Sequence, residues 1–487
     1  MTPGLILTVV ALYSLLLFFV VWITSRNADN ESYFIGNKSS RWYIVAYGMI
    51  GASLSGVTFM SVPGAVATTQ FSYMQVVFGY MIGYTVIAMI LMPVYYSMNL
   101  TSIYTYLERR FGNASYKTGS FFFILSRTIG ASFRIYIVIN VLQTFVFDAW
   151  GVPFVVTVAT FMVLILLYTY KGGVKTIVWT DTLQTTFMLI TVIVSVVMIS
   201  GQLGIGLTDL LGEVMRSEIS KIYVSDVLSP NYFWKNFLGG AFIAIAMTGL
   251  DQEMMQKNLS CKNIGEAKKN MFSFAAVLLV VNFLFLILGA VLVFYANQNN
   301  LSIDPKHTDN LFPEIALNHL GTFTGLLFIV GLISAAYPSA DGALTALTTA
   351  FCYDFLRLNK KENLSEESMK RTRIIVHISF AVILLLMIVL FRVINNDAVI
   401  RNLFKVAGYT YGPLLGLFAF GFLTKWKIKD KWVPLVCVIS PAIAYFIGEY
   451  APQIFAGYKF GFEMIIVNGL ITFIGLMMLV RTDKAIK

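Results

Sequence analysis

Apolar runs of about twenty residues recur thirteen times along this 487-residue chain, near 4–24, 43–70, 72–98, 118–147, 151–170, 177–200, 232–256, 271–296, 322–355, 373–394, 402–424, 432–450 and 461–480. Each is long enough to cross the hydrocarbon core of a bilayer as a helix. Only 12% of positions are charged, about half the share of a soluble globular protein, and mean hydropathy is +0.75. A chain this long cannot hide so much apolar surface in one core, so its surface must face lipid. Lipid leaves no partner for an open strand edge. With no long alternating pattern in view, the expected fold is an all-α integral membrane protein forming one transmembrane domain.

The opening run, from Gly4 to Ile23, has no basic residue ahead of it and reaches full bilayer length. It reads as a retained first helix rather than a signal peptide. The net charge of +10 is spread over short loops, with no basic face or motif for nucleic acid. Its distribution sets orientation instead. Of 35 basic residues, 25 fall on the side shared with the C-terminus, among them Arg26, Lys38, Lys171, Lys175, Lys257, Lys361, Arg373, Lys484 and Lys487; eight fall opposite. Cytoplasmic loops carry the excess of Lys and Arg, so the N-terminus is expected outside and the C-terminus in the cytoplasm. The location that follows is the plasma membrane, or the inner membrane of a bacterium. Cys261, Cys352, Cys437 and His307, His319, His377 show neither a disulfide framework nor a metal-ligand spacing.

The second span packs Gly48, Gly51, Ala52, Ser53, Ser55, Gly56, Thr58, Ser61, Pro63 and Gly64 into one stretch. Small residues serve as a packing face in many membrane bundles. Here Gly56 and Pro63-Gly64 also weaken the hydrogen-bond ladder, which favours a discontinuous helix lining a cavity at the midplane. Five spans later, Gly239-Gly240, Thr248-Gly249 and Asp251-Gln252 mark a second interruption. Two broken helices at matching places predict an inverted repeat of five plus five helices, over 43–200 and 232–424, with one helix ahead (4–24) and two behind (432–480).

Ionisable groups at membrane depth are costly, so each is a candidate functional residue. Arg127 and Arg134 lie seven residues apart in the fourth span, nearly on one face. Arg127 is close enough to an end to snorkel. Arg134 lies some sixteen residues in, where its planar fork would hold a carboxylate; that carboxylate is either a substrate's or an internal one, Asp341 or Asp181. Asp181 starts the sixth span, as a helix cap or, with Ser339 and Thr345, as oxygen ligand to sodium. Asp341 lies inside the ninth segment.

Four ordered stretches resemble the sodium:solute symporter family: Gly51-Ala52-Ser53-Leu54-Ser55-Gly56 through Pro63-Gly64-Ala65; Gly172-Gly173 with Val178-Trp179-Thr180-Asp181 and Gln184; Gly249-Leu250-Asp251-Gln252 with Gln256-Lys257; and Ser334-Ala335-Ala336 through Ala343. The resemblance implies the LeuT-type five-plus-five fold. It also implies a shared sodium site built from the carbonyls of Gly51 and Leu54, the carbonyl of Ala335 and the hydroxyl of Ser339. A second sodium site would centre on Asp181. Pro338 stands where the family carries a hydroxyl residue, and its ring is expected to disturb the helix; Asp341 is a candidate to compensate. The first broken helix resembles the sialic-acid branch most, which implies a substrate site of Ser53, Ser55, Thr58 and Arg134, with Gln75 adding an amide.

The expected function is therefore sodium-coupled import of a small, carboxylate-bearing solute, with one or two sodium ions and membrane lipid as the other partners. A proton-coupled or sodium-independent transporter of a sugar, monocarboxylate or amino acid is the alternative. An enzyme would need a nucleophile–base pair or metal cluster at membrane depth, and the sequence offers none. A sensor would need a signalling domain, and only eight residues follow Leu479.

Overall fold

The computed structural model describes residues 3–24, 40–360, 365–394 and 399–481, and within these not the side chains of 3, 170–175, 359 and 399–402. Arg26, Lys38, Lys361, Lys484 and Lys487 therefore lie outside the described residues, as do the side chains of Lys171 and Lys175.

Helices dominate because in lipid each backbone N–H and C=O must find its partner within the segment. Among the described residues only two isolated bridges, Ser40 with Cys261 and Ile428 with Val480, have strand-like pairing. Among the described residues, eight helices are long and apolar enough to span a membrane: Gly4–Thr24, Tyr73–Ser97, Asn113–Trp150, Thr176–Leu203, Ile264–Gln298, Gly321–Phe355, Glu366–Ile394 and Asp430–Ile454. Three bent pairs raise the number to eleven: Trp42–Ser53 with Gly56–Thr69, Phe233–Gly249 with Gln252–Leu259, and Leu403–Thr410 with Gly412–Leu423. Phe154–Thr169 and Met464–Met477 are shorter apolar helices.

Helical backbone runs from Phe154 to Leu203, 50 residues, where the sequence predicts two spans. Straight, it would measure about 75 Å, far beyond a bilayer core of about 30 Å. The rings say otherwise. Phe161 lies 4.9 Å from Tyr337, Tyr337 lies 6.4 Å from Tyr13, and Tyr13 lies 5.5 Å from Phe187. A straight helix would separate Phe161 from Phe187 by about 39 Å. The segment doubles back between them.

The first broken span bends by 60°, at Leu54-Ser55 rather than at Pro63-Gly64. Leu54 N–H still bonds to Ile50, and the ladder restarts with Phe59 N–H on Ser55. The carbonyls of residues 51–54 are thus released, as at any helix end. Pro63 rides inside Gly56–Thr69, and Gly64 is there for close approach: a Cβ would collide with the Thr308 carbonyl. Gly239-Gly240 likewise marks packing rather than the break. A Cβ on Gly240 would strike the Val76 carbonyl, and one on Gly79 the Phe237 carbonyl, so these glycines let two backbones touch. The actual bend, 65°, falls between Gly249 and Gln252, just after a π-helical turn at Ile245–Gly249.

The third bend, 42°, lies within a span the sequence treats as regular. Pro413 removes the N–H that would reach Tyr409, and Asn468 supplies a donor instead, at 2.8 Å to Tyr409 and 3.0 Å to Gly408. Pro338, by contrast, sits in an unbroken helix, Gly321–Ala350, so the expected disturbance does not interrupt it. That helix is the hub of the bundle. The most membrane-like stretch of Gly321–Phe355 is 83% buried, against 22% for Asp430–Ile454 and 28% for the leading helix, which leaves those two at the periphery.

Candidate functional site

The two deep breaks face one another across a cavity. Ala52, Ser53, Leu54 and Ser55 reach it from the first break, with Thr58 a turn further on. Met247 and Thr248 reach it from the π-helical turn before the second break, and Arg127 and Arg134 from the Asn113–Trp150 helix. Ser53, Ser55, Thr58 and Arg134, drawn from two separate stretches of sequence, therefore share one wall.

Gln75 does not line the cavity. Tyr73, Tyr80 and Tyr84 do, at helical spacings of seven and four that keep them on one face. Gln75 is two residues on from Tyr73, about 200° round the helix, and its amide donates to the Asn231 carbonyl at 3.1 Å. The seven-then-four tyrosine spacing is legible in the sequence, and it marks the cavity face better than residue type does.

The two arginines differ sharply. Arg127 is buried and ion-paired, donating to Glu253 and lying 3.7 Å from Asp251, so it does not snorkel. Arg134 makes no ion pair or hydrogen bond with any described residue, and its Nε has no partner. The internal carboxylates proposed for it are engaged elsewhere. Asp181 accepts from Lys257 at 2.7 Å and Asp341 from Tyr168 at 3.0 Å. Arg134 is a buried-side guanidinium presented to the cavity.

Asp181 does not cap a helix, since Thr176–Leu203 is already helical ahead of it. It is fully buried, and its second oxygen has no partner. Gly51 packs against this turn: a Cβ there would collide with the Thr185 hydroxyl and lie 3.3 Å from the Asp181 carbonyl. The hydroxyls of Ser339 and Thr345 and one oxygen of Asp341 are also buried without partners. Unpartnered buried oxygens are rare, and a sodium ion takes such hard ligands. Ala335 is buried on the same helix as Ser339, one turn before it.

Lys257 and Glu253 escaped the sequence reading, which counted Lys257 among loop cations. Lys257 is 2% exposed and also lies 3.3 Å from Glu253, four residues earlier. That i, i+4 acid–base pair was the available signal. Arg373, also assigned to a loop, is buried as well. Asp251 caps the helix after the second break, accepting from Glu253 N–H at 2.9 Å and Met254 N–H at 3.3 Å, and takes a 2.9 Å bond from Tyr411.

A model of the sodium:solute symporter family matches residues 33–427, which take in both broken spans and every residue of the cavity wall. The chain belongs to the sodium:solute symporter family. As a member it is a multi-pass membrane transporter using sodium, not an enzyme. It is 23% identical over 93% of its length to the sodium/sialic acid symporter SiaT of Proteus mirabilis, covering 91% of that protein. It is 25% identical to the human sodium-coupled monocarboxylate transporter 1 over 81% of this chain and 64% of the relative. Among solved structures, a Na+-coupled sialic acid symporter in a substrate-bound outward-open state superposes with a TM-score of 0.82 at 19% identity, over 97% of each chain. The nucleobase-cation-symport-1 family transporter MHP1 matches at 0.58 and 14% identity, covering 93% of this chain and 94% of that one. Both share its fold.

Proposed function

We propose that this symporter imports sialic acid, or a sugar acid close to it, together with sodium by alternating access. The observation that carries the reading is Arg134, a membrane-embedded guanidinium paired with no carboxylate among the described residues, facing a cavity beside the released carbonyls of the first break. Its fork suits a solute carboxylate, and Ser53, Ser55 and Thr58 supply hydroxyls to the rest of the molecule. Relatives that carry sialic acid and relatives that carry monocarboxylates both transport an acid, in line with a cationic anchor.

One sodium sits between the carbonyls of Gly51 and Leu54 and the Ala335–Ser339 turn; a second is held at Asp181. The chain crosses the membrane thirteen times, counting the bent pairs, the doubled-back Phe154–Leu203 segment and Met464–Met477. Residues 43–200 and 232–424 form the inverted repeats, with the two deep breaks at corresponding places. The N-terminus is outside and the C-terminus cytoplasmic, in the plasma membrane.

Melting of the purified protein tests this. N-acetylneuraminic acid, glucose, lactate and proline are each added in sodium chloride and again in choline chloride. A ligand that binds the folded state raises the melting temperature by mass action. A rise with N-acetylneuraminic acid in sodium alone is expected. A rise with lactate instead moves the substrate to the monocarboxylates, and equal rises in both salts overturn sodium coupling.

A further inference from the structure

Between the cation seat at Asp181 and the solute cavity runs an unbroken line of buried charges. Lys257 Nζ stands 2.7 Å from Asp181 Oδ2 and 3.3 Å from Glu253 Oε1. The other oxygen of Glu253 holds Arg127, and Arg127 lines the cavity alongside Arg134. No member is more than 3% exposed apart from Arg134 at the cavity face. Charges this deep are held only by their partners, and Coulomb energies there are large, so a change at one end is felt at the other.

We propose that Lys257 is the coupling residue of this symporter, a tethered ammonium that competes with sodium for Asp181 and moves onto Glu253 when sodium arrives. The proposal rests on sodium binding at Asp181 and on an anionic solute. Its direction follows from charge. With Asp181 free of sodium, Lys257 divides itself between two carboxylates, and Glu253 keeps enough negative charge to hold and offset Arg127. Sodium at Asp181 repels the ammonium, whose remaining partner is Glu253, one helical turn nearer the cavity. Glu253 is then neutralised by Lys257, so Arg127, left with Asp251 at 3.7 Å as its remaining carboxylate, is less fully offset and adds to the field of Arg134 in the cavity. The positive potential there rises, and a carboxylate binds more tightly. The same linkage makes the solute tighten sodium by an equal factor. Gly342 belongs to the device: a Cβ there would collide with the Glu253 carboxylate, so the Gly321–Phe355 helix leaves that carboxylate its space.

The test is binding of N-acetylneuraminic acid by titration calorimetry in sodium and in choline chloride at constant ionic strength. For the unaltered protein, sodium is expected to lower the Kd by about tenfold or more, within the usual range of coupling. Lys257→Met removes the ammonium and leaves Asp181 to sodium alone. It is expected to bind sodium at least as tightly, while the effect of sodium on the solute Kd shrinks toward unity. Lys257→Arg keeps the charge and is expected to keep most of the coupling. Lys257→Met with Glu253→Gln restores the charge balance and serves if the single variant does not fold; it too is expected to lose coupling. Full retention of the sodium effect in either neutral variant overturns the proposal while leaving sodium symport intact. Absence of any sodium effect in the unaltered protein overturns the underlying reading and the relay with it.

Discussion

Arg134 owes its value to what surrounds it. A guanidinium in a bilayer ordinarily buries itself against a carboxylate, as Arg127 does with Glu253 and Asp251. Arg134 keeps none among the described residues, so its charge is available to a ligand. Hydrogen bonds to a charged group contribute roughly 1.5–3 kcal/mol, about ten- to a hundredfold in affinity. Arg134→Gln is therefore expected to weaken N-acetylneuraminic acid by that factor without lowering the melting temperature of the ligand-free protein; calorimetry and thermal melting read the two effects. Arg127→Gln should behave differently. It strips Glu253 and Asp251 of a partner, and breaking one side of a buried ion pair typically costs about 3–5 kcal/mol, so the folded protein itself should melt earlier. The sequence showed both arginines at membrane depth but not which one was engaged. Glu253 and Lys257, the residues that decide it, stand past the second break, Glu253 near the end of the expected span 232–256 and Lys257 just beyond it. A buried charge and a loop charge look alike until the chain folds over them.

Breaks and close crossings define the helices as elements. Density of small residues located both interrupted spans, because a helix cannot release carbonyls at the midplane without a cavity and hydroxyls nearby. Gly56 and the stretch from Gly249 to Gln252 do stand at the bends, while the other interruptions named with them do not. Pro63-Gly64 and Gly239-Gly240 turned out to be contact points, since absence of a side chain serves close approach as readily as it serves a break. At the crossing of Tyr73–Ser97 with Phe233–Gly249 the neighbour is backbone, which cannot swing aside. Gly240→Ala is expected to destabilise by about 1–3 kcal/mol, the usual cost of overpacking, and an unchanged melting temperature would refute that close contact. The third bend was invisible for another reason: its stability lies in Asn468, far along the chain. Asn468→Ala leaves the Tyr409 and Gly408 carbonyls buried without donors, at about 1–3 kcal/mol each. Lower thermal stability is expected, whereas Asn468→Gln should recover part of it if the amide can still reach.

For the whole molecule, the decisive quantity is the charge that crosses the membrane in one cycle. Lys257, Arg127 and Arg134 are part of the protein and return with it, so they add nothing to the net transfer. Only the cargo counts. A solute with one carboxylate and one sodium would cross without net charge, and the membrane potential would then leave accumulation unaffected. With both proposed cation seats filled, one at the released carbonyls of the first break and one at Asp181, each cycle would carry one net positive charge inward. The potential then contributes about 2.3 kcal/mol per 100 mV, close to a fiftyfold gain in accumulation. In proteoliposomes, an inside-negative potassium diffusion potential set with valinomycin should therefore speed sodium-driven uptake of N-acetylneuraminic acid and raise its final level. Asp181→Asn removes the carboxylate of the second seat. It should leave a slower uptake that still needs sodium, depends on its concentration to the first power and no longer responds to the potential. Uptake by the unaltered protein that ignores the potential would mean that a single sodium travels with the acid, with Lys257 remaining on Asp181 throughout the cycle.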